Sequence, residues 1–345
     1  MSLRIVFVLP FLVLLFLPAG AWAQDRAQRA MEINDANRDG KVSPKEWRRS
    51  SSIFKQIDTN KDGFLTVDEF RARFAGGKGP MGGGMGGRSD KGGPKLDGQV
   101  GMGALDKETM CAITRTPNCD ISVAVKHGLF KTGLKPVFPA GVECRGIDEA
   151  WAIDYSDKRD REQYHGGIDI PAPFGTPMIA AAAGTVVAKY VGEKSYRGIE
   201  ITLRHSPEDT GLGVWTYTQY AHFRTMPTLN VGDRVRMGQK LGPTGNSGIQ
   251  PNLGPRGSAR RPAIHFAAWF TGDPRYVAAS RAVIPVAGEW MDPNALYRGK
   301  PPFDSASLKA LPSEQKRVPI AVMLDTGEVI PAGARVIWPY TCSRR

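Results

Sequence analysis

From about residue 105 onward the chain is written in short runs in which apolar and polar residues alternate. Residues 184–190 (GTVVAKY), 199–203 (IEITL) and 215–220 (WTYTQY) are rich in Val, Ile, Thr and Tyr, with Gly and Pro between the runs. Alternation sends every second side chain to the same face of an extended strand, so this part predicts a mainly antiparallel β module. The runs at 318–323 and 334–338 predict added strands or a segment that wraps the core. Before residue 75 the pattern differs: Trp47, Phe54 and Ile57 recur near one face of a helix. Between the two parts, residues 75–104 hold thirteen glycines and almost no branched apolar side chain. With so little to bury, that stretch cannot offset its ordering entropy and predicts a flexible linker.

The length of 345 residues suggests two or three domains, and 41% hydrophobic residues is enough for a packed core. Wholesale disorder and collagen-like structure are excluded, and there is no solenoid repeat, dinucleotide fingerprint or P-loop. A formal net charge of +12 points to an anionic partner: nucleic acid, a membrane surface or a wall polymer. The N-terminus narrows this choice. Residues 1–23 carry Arg4, an apolar run over 5–17 broken only by Pro10, then Pro18, Gly20 and the small-residue end Ala21-Trp22-Ala23. This is the plan of a secretory signal peptide cut before Gln24. The run is too short to span a bilayer core of about 30 Å comfortably, and no later segment approaches the ~20 apolar residues required. The expectation is an exported protein, periplasmic or secreted, with no stable membrane span and no nucleic-acid partner. In an oxidising compartment its four cysteines, none in a CxxC pair, predict two disulfides. Three pairings exist; Cys111 with Cys119 and Cys144 with Cys342 is the favoured one, the second tying the C-terminal tail to the start of the large module.

Two short loops carry the first candidate chemistry. Residues 35–46 place Asp35, Asn37, Asp39, Lys41, Ser43 and Glu46 at loop positions 1, 3, 5, 7, 9 and 12, with Gly40 at position 6. Residues 58–69 repeat this with Asp58, Asn60, Asp62, Phe64, Thr66 and Glu69, and Gly63 at position 6. A hard cation such as Ca²⁺ needs six to eight oxygens; Lys41 and Phe64 would contribute backbone carbonyls, and each terminal Glu both carboxylate oxygens. Val42 and Leu65 at position 8 predict a short β-bridge between the loops. Ser43 to Glu46 and Thr66 to Glu69 fit the capping box that opens an exiting helix. These segments closely resemble EF-hand calcium loops, which implies up to two Ca²⁺ in a helical module over residues 24–74. The loops begin 23 residues apart, so one helix is expected to serve both.

The chain has five histidines. His165 and Asp169 are four apart in YHGGIDIPAPFGTP, where Gly and Pro argue for a turn followed by a strand. An imidazole and a carboxylate can supply two of three protein ligands to a catalytic zinc, although alone the pair reads as an ordinary hydrogen bond. The pair is followed in order by Gly175-Thr176-Pro177, AAAAGTVV at 180–187, Tyr220-Ala221-His222-Phe223, VGDRV at 231–235, GQKLG at 238–242, TGNSG at 244–248 and Ile264-His265-Phe266. Together these resemble the lysostaphin/LytM-type zinc metallopeptidases, which cleave peptide cross-links of bacterial peptidoglycan, over residues 150–299.

That resemblance implies a multi-domain chain: an antiparallel β metallopeptidase core with a zinc-containing groove, a lead-in over 105–149, a C-terminal β extension over 300–345, and the small α-helical EF-hand module. It implies one zinc bound by His165, Asp169 and His265, acidifying a water and polarising the scissile carbonyl. It assigns His222 to the oxyanion or to proton transfer. Two departures stand out. Ala263 occupies the position where the family has the general-base histidine of His-x-His, a group worth about 10² to 10⁴ in rate. A stretch over 249–262 containing Arg256, Arg260 and Arg261 intervenes before the last ligand. The implied function is an exported zinc endopeptidase acting on peptidoglycan peptides. The alternative is a catalytically impaired member that binds wall peptides or activates another wall hydrolase. His205 is expected to be structural and His127 to lie at the surface. Tyr164, Tyr217 and Tyr220 are either groove aromatics or strand packing.

Overall fold

The computed structural model describes residues 27–28, 30–31, 34–37, 39–47, 51–75, 95–116, 118–144, 155–156, 165–191, 197–248 and 262–345. The expected signal peptide, Tyr164 and residues 249–261 lie outside them. The chain divides into two compact units, Met1–Lys91 and Gly92–Arg345. No helix among the described residues is long and apolar enough to cross a membrane.

The first unit is helical. Residues 27, 28, 30, 31 and 34 are helical, and complete helices follow over Ser51–Ile57 and Val67–Ala75. Val42 and Leu65 form the expected antiparallel bridge, each amide donating to the other's carbonyl at 2.8 and 2.9 Å. Ala27, Ala30, Met31, Val42, Trp47, Phe54, Ile57, Leu65 and Phe70 close a small core of their own, with Trp47 edge-on to Phe54.

The second unit is mainly antiparallel β. Its lead-in has helices over Lys107–Thr114 and Ile121–Lys126, capped by Asp106 and Asp120, then strands β1 (Lys135–Val137) and β2 (Val142–Glu143). The core follows with β3 (Ile168–Pro171), β4 (Pro177–Ile179), β5 (Gly184–Val191), β6 (Ile199–His205), β7 (Trp215–Ala221), β8 (Arg234–Val235), β9 (Lys240–Pro243) and β10 (Ala263–Thr271). After it come β11 (Tyr276–Ala278), β12 (Val283–Pro285) and β13 (Glu289–Met291). Seven strands make the main sheet in the order β13-β10-β7-β6-β5-β8, with β3 also paired to β10. The alternating runs thus became its central strands.

Period-two geometry gives the sheet two different faces. Ile168, Ile170, Ile201, Leu203, Tyr220, Ile264 and Phe266 point into the main hydrophobic core. Asp169, Glu200, Gln219, Ala221, Ala263 and His265 belong to the opposite face. The tail adds β14 (Arg317–Pro319), parallel to β1, then β15 (Val322–Met323) and β16 (Val329–Ile330) as a hairpin, and β17 (Ser343–Arg344) on β2. Residues 334–338 wrap rather than add a strand: the Ile337 amide donates to Ala181 and that of Trp338 to Ala321. Both favoured disulfides, Cys111–Cys119 and Cys144–Cys342, are formed.

Residues 95–104, expected as part of a linker over 75–104, carry described structure, and residues 76–94 lie outside the described residues. Ala75 ends a helix, and residues from Lys95 onward are held against the second unit. Val100 donates to the Tyr276 carbonyl at 2.8 Å, Tyr276 to that of Gly98 at 2.9 Å, and Asp97 pairs with Arg204 at 3.3 Å. Backbone pairing and one ion pair replace the missing apolar side chains. His127 also departs from its expected surface position. It caps the helix before it and approaches the Gly288 carbonyl through Nδ1 at 3.1 Å, half-buried.

Candidate metal centre

His165 leaves the turn before β3, Asp169 sits within β3, and His265 lies directly opposite Asp169 on β10. Residues a hundred positions apart therefore meet because β3 closes onto β10. One carboxylate oxygen, Asp169 Oδ1, lies 3.1 Å from His165 Nε2 and 3.0 Å from His265 Nδ1. One donor atom from each of the three residues falls within 4.8 Å of the other two, and all three side chains are buried. Buried imidazoles around a buried carboxylate, with an aliphatic sheet beneath, fit the three-ligand set of a catalytic zinc, which keeps a fourth position open.

The backbone is shaped for this meeting. Gly167 has φ +153°, and a Cβ there would lie 2.7 Å from His265 Nε2 and 2.6 Å from Cε1. Any side chain would displace the imidazole, so glycine lets the first ligand turn pass against the third ligand. The lead-in braces the same turn from behind. Arg115, which follows the Lys107–Thr114 helix, donates from Nη2 to the His165 carbonyl at 3.2 Å and stacks over Trp290, 4.9 Å from its ring centre.

His222 follows β7, with its ring 5.8 Å from that of His265. It has φ +68°, a left-handed conformation uncommon for a non-glycine residue. Its amide donates to the Arg197 carbonyl at 3.1 Å, and its own carbonyl accepts from Gly245 at 2.9 Å. Nδ1 lies 2.8 Å from the Ser247 carbonyl, which can only accept. In the neutral ring Nδ1 therefore carries the proton, which makes Nε2 the basic nitrogen. Ala263 shares the face and strand of His265, two residues earlier. A histidine there would project to the metal side; the methyl group does not accept a proton.

The remaining expectations sort by burial. His205 is fully buried between Ala183 and Thr218, as a structural histidine should be. Tyr217 and Tyr220 are buried strand residues, not groove aromatics, and the Tyr220 hydroxyl accepts from the Ala181 amide at 2.7 Å. Sequence reasoning missed Arg115, Gly167, Arg197, Glu200, Gln219 and Ser247. Gly167 and Ser247 lay in the quoted motifs, and Glu200 and Gln219 in the alternating runs but only as strand residues; no spacing links Arg115 to a turn fifty residues away.

The two acidic loops are pre-shaped by their own amides. Asp35 accepts from Gly40 at 2.9 Å, Asn37 from Asp39 at 2.9 Å and Asp39 from Lys41 at 2.9 Å. In the second loop Asp58 accepts from Gly63 at 3.2 Å, Asn60 from Asp62 at 3.0 Å and Asp62 from Phe64 at 2.8 Å. Glu46 Oε2 takes the Ser43 amide and hydroxyl at 2.9 and 2.7 Å, and Glu69 Oε2 those of Thr66 at 2.9 and 3.1 Å. Lys41 and Phe64 occupy position 7, where the loop uses backbone. Hydrogen bonds from Ser43 hold the Glu46 carboxyl below the usual range, so it is ionised and able to bind a cation.

Residues 163–276 match the family model described as Peptidase family M23, and residues 30–49 and 51–75 match that of the EF hand. The uncharacterized lipoprotein YgeR of Escherichia coli is 42% identical over 83 residues, 24% of this chain and 29% of that protein. An uncharacterized metalloprotease of Buchnera aphidicola is 28% identical over 106 residues, 30% of this chain and 23% of that protein. The chain thus spans less than a third of either curated relative. Among solved structures, the catalytic domain of the antimicrobial peptidase lysostaphin from Staphylococcus simulans is 26% identical, covering 31% of this chain and 67% of that one, with a TM-score of 0.24. A variant of the catalytic domain of the prophage-encoded M23 protein EnpA from Enterococcus faecalis is 23% identical, covering 41% and 91%, with a TM-score of 0.28. Residues 163–276 are a peptidase family M23 domain of the lysostaphin/LytM type, in a chain whose N-terminal unit carries EF hands.

Proposed function

We propose that this chain is an exported zinc metalloendopeptidase that hydrolyses peptide cross-links of bacterial peptidoglycan and binds calcium through its EF hands. The observation that carries the reading is the convergence of His165, Asp169 and His265, with His222 beside them, on one face of the M23 sheet. Zinc held by those three residues would supply Lewis-acid polarisation of a carbonyl and acidify water. The chain's own contribution is orientation. Asp169 fixes both imidazoles, Arg115 holds the His165 turn, and the Ser247 carbonyl keeps a proton on His222 Nδ1, so that Nε2 can accept a proton and, once protonated, donate to a developing oxyanion. The secretory pattern of residues 1–23 and the lipoprotein name of the Escherichia coli relative support export. In loop 1 Asp35, Asn37, Asp39, Ser43, Glu46 and the Lys41 carbonyl would hold one Ca²⁺. In loop 2 Asp58, Asn60, Asp62, Thr66, Glu69 and the Phe64 carbonyl would hold a second.

Ala263 supports the rival, a binding module that engages wall peptides or activates another hydrolase, because the family resemblance assigns its position to the general-base histidine. A single experiment separates the two. Zinc-loaded residues 24–345 are incubated with peptidoglycan and the released peptides are resolved by mass spectrometry, beside His165→Ala and Ala263→His. The expected outcome is slow release by the parent, at least about a hundredfold less with His165→Ala, and a gain of about 10² or more with Ala263→His. No product from zinc-loaded parent, with intact binding to peptidoglycan, would establish the binding module instead.

A further inference from the structure

Four basic side chains gather where the lead-in of the second unit meets its tail. β1 and β14 run parallel with Lys135 directly opposite Arg317, while Leu134 and Val318, one position away, are buried in the main core. Successive side chains point to opposite faces of a strand, so Lys135 and Arg317 stand side by side on the outer face, with backbones about 4.8 Å apart. Lys316 comes next in the chain. Its Nζ donates to the Lys309 carbonyl at 2.7 Å and lies 3.4 Å from where a Cβ on Gly133 would be. It thus spans from the helix Ser305–Ala310 to the segment before β1. Lys309 in turn holds its Nζ 5.6 Å from the centre of the Phe130 ring.

Lys135, Lys309 and Arg317 are exposed and Lys316 is half-buried. Among the described residues none of the four forms an ion pair. The acids on the same elements are Glu314, exposed in the turn Ser313–Lys316, and Asp304, whose carboxylate takes the Ser307 amide at 2.8 Å as the cap of the Ser305–Ala310 helix. Like charges held together raise the potential over that surface, which draws polyanions.

The partner class follows from what the patch has and what it lacks. Lysine heads are point charges on flexible stems, so three of them beside one arginine suit a run of spaced anionic groups better than one enclosed ligand. A bilayer surface would be met by apolar side chains beside the cations. The exposed large apolar residues, Phe64, Ile121, Phe174, Val191 and Val231, all lie outside these segments. A peptide-bearing polymer instead offers carboxylates along chains that advance about 3.3 Å per residue.

We propose that Lys135, Lys309, Lys316 and Arg317 form a docking surface for the peptide carboxylates of peptidoglycan, a contact with the polymer in addition to that of the metal centre. Two linked contacts hold more tightly than either alone, because the second is made at high local concentration. The proposal rests on the wall-directed reading for its partner and not on hydrolysis.

The test sediments zinc-loaded residues 24–345 with insoluble peptidoglycan, either native or with its carboxyl groups converted to amides, and with phosphatidylglycerol vesicles; released peptides are read in parallel. The parent should bind native polymer about ten- to a hundredfold more tightly than the amidated form at low salt, the scale of four exposed charge contacts, and lose that preference as salt rises. Replacing all four residues together (Lys135→Gln, Lys309→Gln, Lys316→Gln, Arg317→Gln) should remove most of the preference and leave affinity for the amidated polymer within about twofold. Lys135→Gln with Arg317→Gln, which disturbs no side-chain hydrogen bond, should remove part of it and guards against misfolding of the fuller variant. A control that removes the same charge elsewhere (Arg236→Gln, Lys240→Gln, Arg281→Gln, Lys300→Gln) should keep the preference. The docking surface is overturned by no preference in the parent, by an equal loss in the control, or by an equal loss on both polymers when the patch is neutralised. Vesicle binding as tight as that of native peptidoglycan also overturns it, and would assign the patch to a membrane. Carboxylate-dependent binding without released peptides keeps the docking surface and removes the peptidase reading; released peptides without such binding do the reverse.

Discussion

His205 shows how burial alone turns a single side chain into a pH-dependent element of stability. The imidazole is fully buried, with Nε2 2.7 Å from Thr218 Oγ1 and Nδ1 against the Ala183 carbonyl. Desolvation pushes its pKa down to about 4, against a slight upward pull from the Ala183 contact. An unfolded histidine protonates near 6.5, so between those values the unfolded chain holds more protons than the folded one. Stability is therefore full above about pH 6.5 and falls as pH drops toward 4, by up to about 1.4 kcal/mol per unit. Denaturant titrations of the second unit at pH 7 and pH 5 should show that loss, and His205→Gln should flatten it; an unchanged slope would contradict the assignment. The same residue marks what a sequence can convey at this scale. Its structural role was legible from its place after an apolar strand, as were His165, Asp169 and His265 from their motifs. Arg197 and Glu200 were not, because alternation states only that Glu200 faces away from Ile199 and Ile201. It does not say that the far side of β6 carries the metal centre.

At the scale of elements, the M23 sheet is enclosed by segments from both ends of the second unit. The alternating runs were legible because packing on one face demands period two. The helices of the lead-in were not, because eight and six residues are too few to form alone. They persist through Asp106 and Asp120 at their N-caps, the Cys111–Cys119 bridge, and the Trp290 indole, which donates to the Ala112 carbonyl at 3.0 Å. The tail likewise has little regular structure of its own. It is held by β14 on β1, β17 on β2 and the Cys144–Cys342 bridge, which closes a sequence separation of 198 residues. A cross-link over so long a loop restricts the unfolded chain strongly, so replacing both cysteines with serine should cost about 2–5 kcal/mol. Denaturant unfolding of the oxidised double variant against the parent would measure it, and a difference below about 1 kcal/mol would mean that strand pairing alone secures the tail.

At the scale of the molecule, the glycine run announced two units, and only its boundaries needed structure, because backbone hydrogen bonds at residues 95–104 leave no trace in composition. The first unit is the smaller, with nine buried apolar residues in its core among the described residues. Domains of that size are marginal without a disulfide or a metal, and among the described residues both disulfides belong to the second unit. Its two loops hold Asp35, Asp39, Glu46, Asp58, Asp62 and Glu69, so without a cation like charges crowd two short turns. Calcium binding to the folded form alone stabilises by about 2.7 kcal/mol at a hundred times the dissociation constant. In a domain this small each kcal/mol moves the melting point by about 4–8 °C, so each loop filled to that extent should raise the first unit's transition by about 10–20 °C. Chelation should reverse the shift. Glu46→Gln with Glu69→Gln should abolish it, because each glutamate supplies the position-12 carboxylate already drawn to Ser43 or Thr66. Calorimetry of residues 24–345 with and without calcium reads this directly; a transition indifferent to calcium in the parent would mean that the loops are stable polar turns and not metal sites.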